Sequence, residues 1–293
     1  MLKLMKALNP PGWSNTTHIC DWAGVFCNNR TRRIEQLDLN DMLPRGGVPS
    51  GLNDSLTQLT FLGLFNNNLS GPVPSLANLT FLQEVVLDNN NFNSITHGCF
   101  HALTSLIILS LSNNNKLPAW NFPTDLTAHS SQLKLLDLSS TNLMGSVPNI
   151  SHFFPAIQIL DLSNNNLSSI PEGCFQNLTN LIVLSLANNT NLTLLAFPLL
   201  FPQQLVTLNL EATNLMGSLP NLSHFFPNLT YVFLSNNHLT FIPQGCFQGL
   251  PYLLSLRLGN NTNLSPWTFP NLIQSKNLQV LNLTATNVMG SLP

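Results

Sequence analysis

The sequence predicts a solenoid of stacked coils, in which each coil contributes one short strand to a shared parallel β-sheet. Three observations lead to this prediction. An apolar pattern, Leu-x-x-Leu-x-Leu-x-x-Asn-x-Leu, returns along the 293 residues at a nearly constant interval. Asparagine occupies 41 positions, more than solubility requires. Finally, 44% of the residues are apolar and 8% are charged, so the chain can bury a large core.

One apolar position of this pattern marks the expected strand of each coil. Successive marks are 23 to 27 residues apart, and most are 24 apart. A period of this length with this pattern is that of the leucine-rich repeat, which predicts a right-handed coil of α/β type with a parallel sheet on the concave face and irregular or 3-10 segments on the convex side. The eleven marks are Leu37, Leu62, Val85, Leu109, Leu136, Leu160, Leu184, Leu208, Val232, Leu256 and Leu281.

The asparagine of the pattern has a structural explanation. After each strand the backbone turns over the core, and its buried N–H and C=O groups need partners, since each unpaired group costs about 1–3 kcal/mol. An asparagine side chain can both donate and accept, whereas a threonine hydroxyl does part of the same work. The expected ladder is Asn67, Asn90, Asn114, Thr141, Asn165, Asn189, Thr213, Asn237, Asn261 and Thr286.

The three threonines reveal a longer repeat. Three coils together form a module of about 72 residues, and residues 85–293 contain nearly three copies of it. Residues 141–148, 213–220 and 286–293 share Thr-Asn-x-Met-Gly-Ser-x-Pro. We therefore divide the chain into an N-terminal cap at 1–33 and about eleven repeats at 34–293.

Two motifs carry a resemblance to a known class of proteins. Residues 69–74 read Leu-Ser-Gly-Pro-Val-Pro, and residues 20–27 read Cys-Asp-Trp-Ala-Gly-Val-Phe-Cys after Trp13. The first resembles the plant-specific leucine-rich repeat, and the second resembles the cap that opens plant receptor-kinase ectodomains and secreted plant repeat proteins. The resemblance implies a Cys20–Cys27 disulfide that closes the open end of the core, at about 2–3 kcal/mol.

Within that class, roughly the first 160 residues most resemble the ectodomain of the TMK (transmembrane kinase) subfamily of receptor-like kinases. The residues that carry this are 69–76, the Asp-Asn-Asn-Asn-Phe at 88–92, Trp120 with Pro123, and the Asn-Pro-Pro-Gly-Trp at 9–13. The tandem three-coil module departs from that subfamily, and the sequence contains no kinase segment. Receptor function is thus implied by resemblance, as are a protein or peptide ligand and a co-receptor.

Fifteen Asn-x-Ser/Thr acceptors favour the secretory route, with N-linked glycans as the expected modification and no cofactor. We therefore expect an extracellular protein of the apoplast, cell wall or cell surface. The candidate acceptors are Asn15, Asn29, Asn53, Asn68, Asn78, Asn149, Asn166, Asn177, Asn188, Asn191, Asn221, Asn228, Asn260, Asn263 and Asn282.

Three cysteines remain after the cap pair, at the same place in successive modules: Cys99, Cys174 and Cys246. Three coils separate each from the next, or about 14 Å, which is too far for a bridge between them. They are either small buried residues or points of contact between chains.

Other classes of function are disfavoured. Ten Lys and Arg residues cannot build a basic stripe for nucleic acid, and no apolar run is long enough to span a membrane. No catalytic or metal-ligating set is evident, so we expect no enzyme. Asp137 and Asp161 follow strand leucines of adjacent coils, where they are either ordinary repeat residues or a pair for a cation or basic ligand.

The concave strand face is where a ligand is expected, because its side chains project from a rigid sheet. Aromatic residues next to a cation could anchor a peptide or protein, and the arginine could bind a carboxylate. The candidate surface residues are Phe61, Phe65, Asp137, Asp161, Tyr231, Phe233 and Arg257.

Two functions remain open at this stage. The first is a recognition scaffold, either a receptor-like-kinase ectodomain or a secreted relative, which binds a protein, peptide or cell-wall ligand. The second is a secreted structural protein that assembles head-to-tail into oligomers or filaments, because the sequence ends at Pro293 partway through a repeat and leaves a coil to be covered.

Overall fold

The computed structural model describes residues 2–8, 10–42, 46–128, 130–192, 202–268, 272 and 274–290. The expectation about an uncovered coil at Pro293 depends on residues that lie outside this set. Two compact units, Met1–Leu143 and Met144–Pro293, make up the chain, and each is described by itself.

The first unit begins with a helix and continues as short strands joined by turns. Its helices are α1 (Leu2–Leu8), α2 (Leu52–Ser55) and α3 (Thr124–Thr127), and Ile19–Asp21 form one turn of 3-10 helix. Its strands are β1 (Val25–Cys27), β2 (Ile34–Asp38), β3 (Gly46–Gly47), β4 (Phe61–Gly63), β5 (Leu69–Pro72), β6 (Glu84–Val86), β7 (Asn91–Ser94), β8 (Ile108–Ser110), β9 (Trp120–Asn121) and β10 (Leu135–Asp137).

The central sheet of the first unit contains one strand from each coil. Its order is β1-β2-β4-β6-β8-β10, in which β1 is antiparallel to β2 and the other neighbours are parallel. The marked apolar residues are in register from Leu37 through Leu62, Val85 and Leu109 to Leu136. A second, smaller sheet has the order β3-β5-β7, and its strands follow the turns after β2, β4 and β6.

The second unit repeats this arrangement. Its helices are α4 (Ile150–Phe153) and α5 (Leu222–Phe225). Its strands, counting β11 at the boundary between the units, are β11 (Leu143–Ser146), β12 (Ile159–Asp161), β13 (Asn166–Ser169), β14 (Val183–Ser185), β15 (Thr207–Asn209), β16 (Met216–Ser218), β17 (Tyr231–Phe233), β18 (His238–Phe241), β19 (Ser255–Arg257), β20 (Trp267–Thr268), β21 (Val280–Asn282) and β22 (Val288–Met289).

Its central sheet has the order β12-β14-β15-β17-β19-β21, with all pairs parallel and in register. Smaller two-stranded pairings join β11 to β13, β16 to β18 and β20 to β22. Every mark that the period predicts therefore lies on a strand of a parallel sheet, and the predicted leucine-rich-repeat solenoid is confirmed.

The core lies behind the central strands, on the side of the marked residues. Ten of the eleven are 0% exposed, whereas Leu281 is half-buried. Burying one leucine side chain contributes about 1.5–3 kcal/mol, so the row accounts for much of the stability of each unit. The residues directly before and after each marked residue point to the opposite face of the sheet. This face is open to solvent, and we call it the open strand face.

The ladder residues turn the chain away from the strand by pairing its backbone. Asn189 is 0% exposed; its Nδ2 donates to the carbonyl oxygens of Leu162 (2.9 Å) and Leu186 (2.8 Å), and its Oδ1 accepts from the Leu167 N–H (3.0 Å). Asn90, Asn237 and Asn261 pair in the same way. Each of the three threonine hydroxyls donates to the carbonyl three residues earlier, at 2.7–2.8 Å. A threonine at this position thus stabilises the turn of its own coil.

The cap covers the first strand of the array. Cys20 and Cys27 form a disulfide, and the rings of Trp13 and Trp22 stack with centroids 4.6 Å apart. Both indole N–H groups are paired, because Trp13 donates to the Ala23 carbonyl (2.9 Å) and Trp22 to the Ser14 carbonyl (2.9 Å). The two rings therefore close the end of the core without leaving a buried donor unpaired.

The remaining cysteines are buried free thiols. Burial raises the pKa of Cys99, Cys174 and Cys246 to about 12, so they stay neutral thiols at ordinary pH. Each thiol donates a hydrogen bond to a carbonyl of the preceding coil, at 3.1–3.2 Å, and the acceptors belong to Pro74, Pro148 and Pro220. This environment favours the interpretation as small buried residues, because crosslinking between chains requires an accessible thiolate.

Candidate ligand-binding surface

An aromatic pair and an arginine meet on the open strand face of the second unit. Phe233 on β17 lies opposite Arg257 on β19, and the Arg257 Cζ is 4.7 Å from the centroid of the Phe233 ring. The ring of Tyr231 is 6.2 Å from that of Phe233, and Tyr231 is 37% exposed. The structure therefore brings together three of the seven candidate surface residues, which we call the aromatic-arginine cluster.

The charge of this cluster is available to a partner. The Arg257 guanidinium makes no hydrogen bond or ion pair with any residue that the structure describes, and it packs on the Phe233 ring face in a cation–π contact. Such stacking orients the planar group while leaving its N–H donors to solvent. A guanidinium held in this way can bind a carboxylate through two parallel hydrogen bonds.

A row of apolar side chains runs beside the cluster. It precedes successive strands of the second unit and is interrupted by Thr230, which lies between Val206 and Leu254. Backbone hydrogen bonds join its neighbours, such as that from the Val206 N–H to the Ile182 carbonyl (2.9 Å). Ile182 is 40% exposed, while Val206 and Leu254 are half-buried. The cluster thus combines one cation with an apolar border, a composition typical of anchor sites for protein segments.

Sequence reasoning missed the role of Gly259, which follows β19. A β-carbon on Gly259 would lie 2.8 Å from the Oδ1 of Asn282, so the asparagine amide fills the space that a side chain would need. Asn282 itself is opposite Arg257 in register. A glycine at a position where the other ten coils carry a side chain, serine in four of them, was the signal that could have revealed this packing.

The other candidate surface residues do not join the cluster. Phe61 and Phe65 are both half-buried, and their described rings make no ring contact with each other. Asp137 and Asp161 lie in different units, and each carboxylate accepts from a backbone N–H two residues later, at Ser139 and Ser163 (2.9 Å each). Each aspartate therefore supports the turn after its own strand, and their use as a pair stays a prediction.

Asp88, in the first unit, is an acidic group that sequence reasoning did not single out. Its carboxylate accepts hydrogen bonds from the Ser110 hydroxyl and from the Ser112 N–H (2.7 Å). Burial nevertheless raises the pKa of Asp88 above its ordinary value, because desolvation penalises the charged form more than these bonds favour it. The folded state thus binds this proton more tightly than the unfolded state does.

This pKa shift predicts a pH-dependent effect of Asp88→Asn. Because the folded-state pKa is raised, the stability linked to protonation is present below the unfolded-state value near 3.8 and is lost as pH rises through the folded-state value. We expect the variant to unfold at a higher temperature than the parent at pH 7 and to lose this advantage near pH 3. Thermal unfolding followed by circular dichroism at both pH values measures the difference. The exposed Glu172→Gln is the control, and an equal advantage at both pH values would contradict the explanation.

Most glycan acceptors are accessible. Twelve of the fifteen are exposed, whereas Asn53, Asn228 and Asn282 are half-buried. The Oδ1 atoms of Asn149 and Asn221 accept from the backbone N–H groups of His152 (3.2 Å) and His224 (3.3 Å), at the starts of α4 and α5. Among the described residues there is no group of three His, Cys, Asp or Glu side chains placed to hold a metal ion, and no helix long and apolar enough to cross a bilayer.

Comparison with known proteins agrees with this architecture. A sequence model described as "Leucine rich repeat" matches residues 155–216 and 227–288. Receptor-like kinase TMK4 of Arabidopsis thaliana is 35% identical over 128 residues, which are 43% of this chain and 14% of the kinase. The chain therefore matches a small part of that relative, in its ectodomain region.

Two solved structures are also similar. The Arabidopsis receptor kinase HAESA, in complex with the peptide hormone IDA and the co-receptor SERK1, has a TM-score of 0.74 and 25% identity, over 92% of this chain and 49% of that one. A plant ice-binding protein has a TM-score of 0.80 over 99% of this chain and 94% of that one. At 22% identity, the second likeness shows the fold alone.

Proposed function

Because the chain is a leucine-rich-repeat protein whose sequence is similar to the ectodomain region of a TMK receptor-like kinase, we propose that it is an extracellular recognition scaffold. Its ligand is a protein or peptide segment, held on the open strand face at the aromatic-arginine cluster. In this function the chain binds and positions a partner and catalyses no reaction.

The observation that carries the proposal is the Arg257 guanidinium, which is stacked on Phe233 and paired with no described residue. Arginine and aromatic side chains are enriched among the residues that dominate binding energy at protein interfaces, since aromatic rings bury a large area and the guanidinium presents several donors in one plane. The fitting partner is a segment that carries a carboxylate next to an apolar side chain. The carboxylate would pair with Arg257, and the apolar group would lie between Tyr231 and the row at Val206 and Leu254.

Further support comes from the relatives and from the surface. HAESA, which shares the fold, is solved with a peptide hormone and a co-receptor, so a second protein partner is part of the proposal. Fifteen glycan acceptors, twelve of them exposed, and the Cys20–Cys27 disulfide support a location in the apoplast, cell wall or cell surface, with N-linked glycans attached.

Selection from a random peptide library tests the proposal. We expect the glycosylated protein to select peptides with an acidic residue or a free C-terminal carboxylate beside an aliphatic residue. Arg257→Glu should weaken binding of the selected peptides by about 10- to 100-fold, because it replaces an attractive charge with a repulsive one. Arg30→Glu, on the exposed surface of the first unit, makes the same charge change and should bind as the parent does.

Two outcomes would count against the proposal. Equal binding by the parent and Arg257→Glu would remove the cluster as the site. A molecular mass that grows with protein concentration in sedimentation, over about a hundredfold range and without any ligand, would favour the alternative of head-to-tail self-assembly.

A further inference from the structure

The second unit contains one full copy of the module and most of another, and the two differ at more than ten described positions. We call residues 160–231 the middle copy and residues 232–293 the last copy; equivalent residues are 72 apart up to Asn191 and Asn263, and 73 apart from Leu208 and Leu281 onward. Their buried leucines, ladder asparagines and Gly-Cys-Phe turns agree. At several surface positions a polar or acidic residue of the middle copy is replaced by an aromatic or uncharged residue in the last, whereas Ser185 is replaced by Arg257. The clearest pairs are Ser169 with Phe241, Glu172 with Gln244, Asn166 with His238, Asn177 with Gly249 and Asn180 with Tyr252.

Two of these differences meet at a groove of about 450 Å³ on the side of the coil away from the central strands. Phe241, at the end of β18, forms one wall and is 51% exposed. Trp267 on β20 lines the groove opposite, with 8% of its surface exposed, and Pro243 and Pro266 complete the apolar lining. A single exposed ring is common on folded surfaces, but this one borders a groove that Trp267 and two prolines also line.

Polar groups of the groove are uncharged and unengaged. The side-chain amides of Gln244 and Gln248 are exposed and make no hydrogen bond to any described residue. Cys246 is the one lining residue that can ionise, and it is a buried neutral thiol already bonded to the Pro220 carbonyl. The middle copy places a carboxylate, Glu172, where the last copy has Gln244, so the two copies differ in charge at this position.

We propose that this groove binds a neutral oligosaccharide. The flat, apolar face of a pyranose ring can stack on the exposed ring of Phe241, while its hydroxyl groups, which both donate and accept, meet the two free amides and the Thr268 hydroxyl. Among the lining residues that the structure describes, none offers an ion pair to an acidic sugar or to a charged peptide. The site is separate from the aromatic-arginine cluster, so it does not rest on the function proposed above.

A proline-rich peptide is the main competitor, because aromatic grooves with exposed prolines and a tryptophan also bind such segments. That mode needs a side-chain donor for the carbonyls of the peptide. The Nε1–H of Trp267 is already used, since it donates to the Thr286 carbonyl at 2.7 Å. The remaining donors are flexible amides, which suit hydroxyl groups on a ring better than a fixed row of carbonyls.

Two glycan acceptors of the middle copy are absent beside the groove. His238 replaces the Asn166 acceptor on the equivalent strand, and Gly249 replaces the Asn177 acceptor after the Gly-Cys-Phe turn. A third acceptor is kept, because Asn263 corresponds to Asn191 and lies three residues before Pro266. A glycan is bulky and would screen a nearby groove, so the two losses reduce the screening in the copy that gains Phe241.

Affinity electrophoresis of the intact protein tests this proposal. The probes are hydroxyethyl cellulose and galactomannan as neutral polymers, polygalacturonate as an acidic polymer, and a ten-residue polyproline peptide as competitor. We expect the neutral polymers to retard the parent protein. Phe241→Ser and Gln244→Glu restore the residues of the middle copy, and each should raise the dissociation constant about fivefold to tenfold. Phe81→Ser removes a phenylalanine of similar exposure (53%) in the first unit and should leave binding unchanged.

Three results would overturn the proposal. The first is that neither neutral polymer retards the protein, and the second is that Phe241→Ser is retarded as strongly as the parent. The third is that polygalacturonate or the polyproline peptide binds in a manner that depends on Phe241 while the neutral polymers do not. The Arg257→Glu variant should keep its affinity for the neutral polymers, which separates this site from the peptide site.

Discussion

Replacing Asn237 with alanine is expected to lower the free energy of unfolding by about 3–5 kcal/mol. The side chain is 2% exposed and pairs five backbone groups, one of which is the Ser235 carbonyl (3.2 Å). Its Oδ1 accepts from the N–H groups of Thr213 and Leu215 (3.0 Å each), and its Nδ2 donates to the carbonyls of Leu210 (2.7 Å) and Leu234 (3.0 Å). Alanine removes this partner from all of them; the Leu210 carbonyl keeps its bond from the Thr213 hydroxyl (2.8 Å), whereas the two N–H groups lose the asparagine acceptor in the interior, where each unpaired group costs about 1–3 kcal/mol.

Urea unfolding measures the change, and hydrogen exchange locates it, since the Thr213 and Leu215 amides should lose protection first. Two controls bracket the result. Asn237→Thr should cost less than alanine, because the hydroxyl of Thr213, on the equivalent rung, donates to the carbonyl three residues earlier, and a threonine here would reach the Leu234 carbonyl in the same way. Asn236→Ala should cost about 1 kcal/mol, because it removes exposed hydrogen bonds to Glu211 and Asn260 but keeps a left-handed backbone that Ala212 also adopts (φ 51°). A loss below about 1 kcal/mol for Asn237→Ala would show that water replaces the rung.

A second large effect is expected for Gly24→Ala, which should cost more than about 3 kcal/mol and loosen the cap. The backbone of the cap crosses the first repeat strand so closely that a β-carbon on Gly24 would lie 1.9 Å from the Asp38 carbonyl oxygen. The same residue has φ +75°, and its own carbonyl accepts from the Asp38 N–H at 2.7 Å. Relief of the clash must separate these backbones and break their hydrogen bond.

The stacked Trp13 and Trp22 report on this change, because their near-ultraviolet circular dichroism depends on a fixed ring geometry. We expect Gly24→Ala to lose much of that signal and to be cut by protease within the cap. Gly12→Ala is the matched control: its φ is +80°, but nothing lies within 4 Å of the added β-carbon, so its cost is backbone strain of about 1 kcal/mol. Equal effects of the two variants would mean that strain, and not contact with β2, explains the glycine.

Much of the fold could be predicted from the sequence, because a solenoid reuses one local pattern. The interval between leucines places each strand, and the asparagine or threonine after it places the turn; Leu208 with Thr213 and Leu256 with Asn261 follow this rule. The candidate surface was predicted in part. Tyr231, Phe233 and Arg257 lie together as expected, since the register of a parallel sheet follows from the period alone.

The details of the candidate surfaces depend on contacts between side chains of neighbouring coils. These side chains are about 24 residues apart in sequence, and the repeat pattern does not predict their conformations. Only the tertiary structure decided that Arg257 lies on Phe233 with its donors free, that the Asn282 amide fills the space above Gly259, and that the Trp267 N–H is used within the fold. By itself, the sequence determined the coil, its core and its ladder, because backbone pairing and leucine burial repeat identically. The surfaces available to a ligand arise where copies differ, and there contact between particular atoms decides which groups stay free.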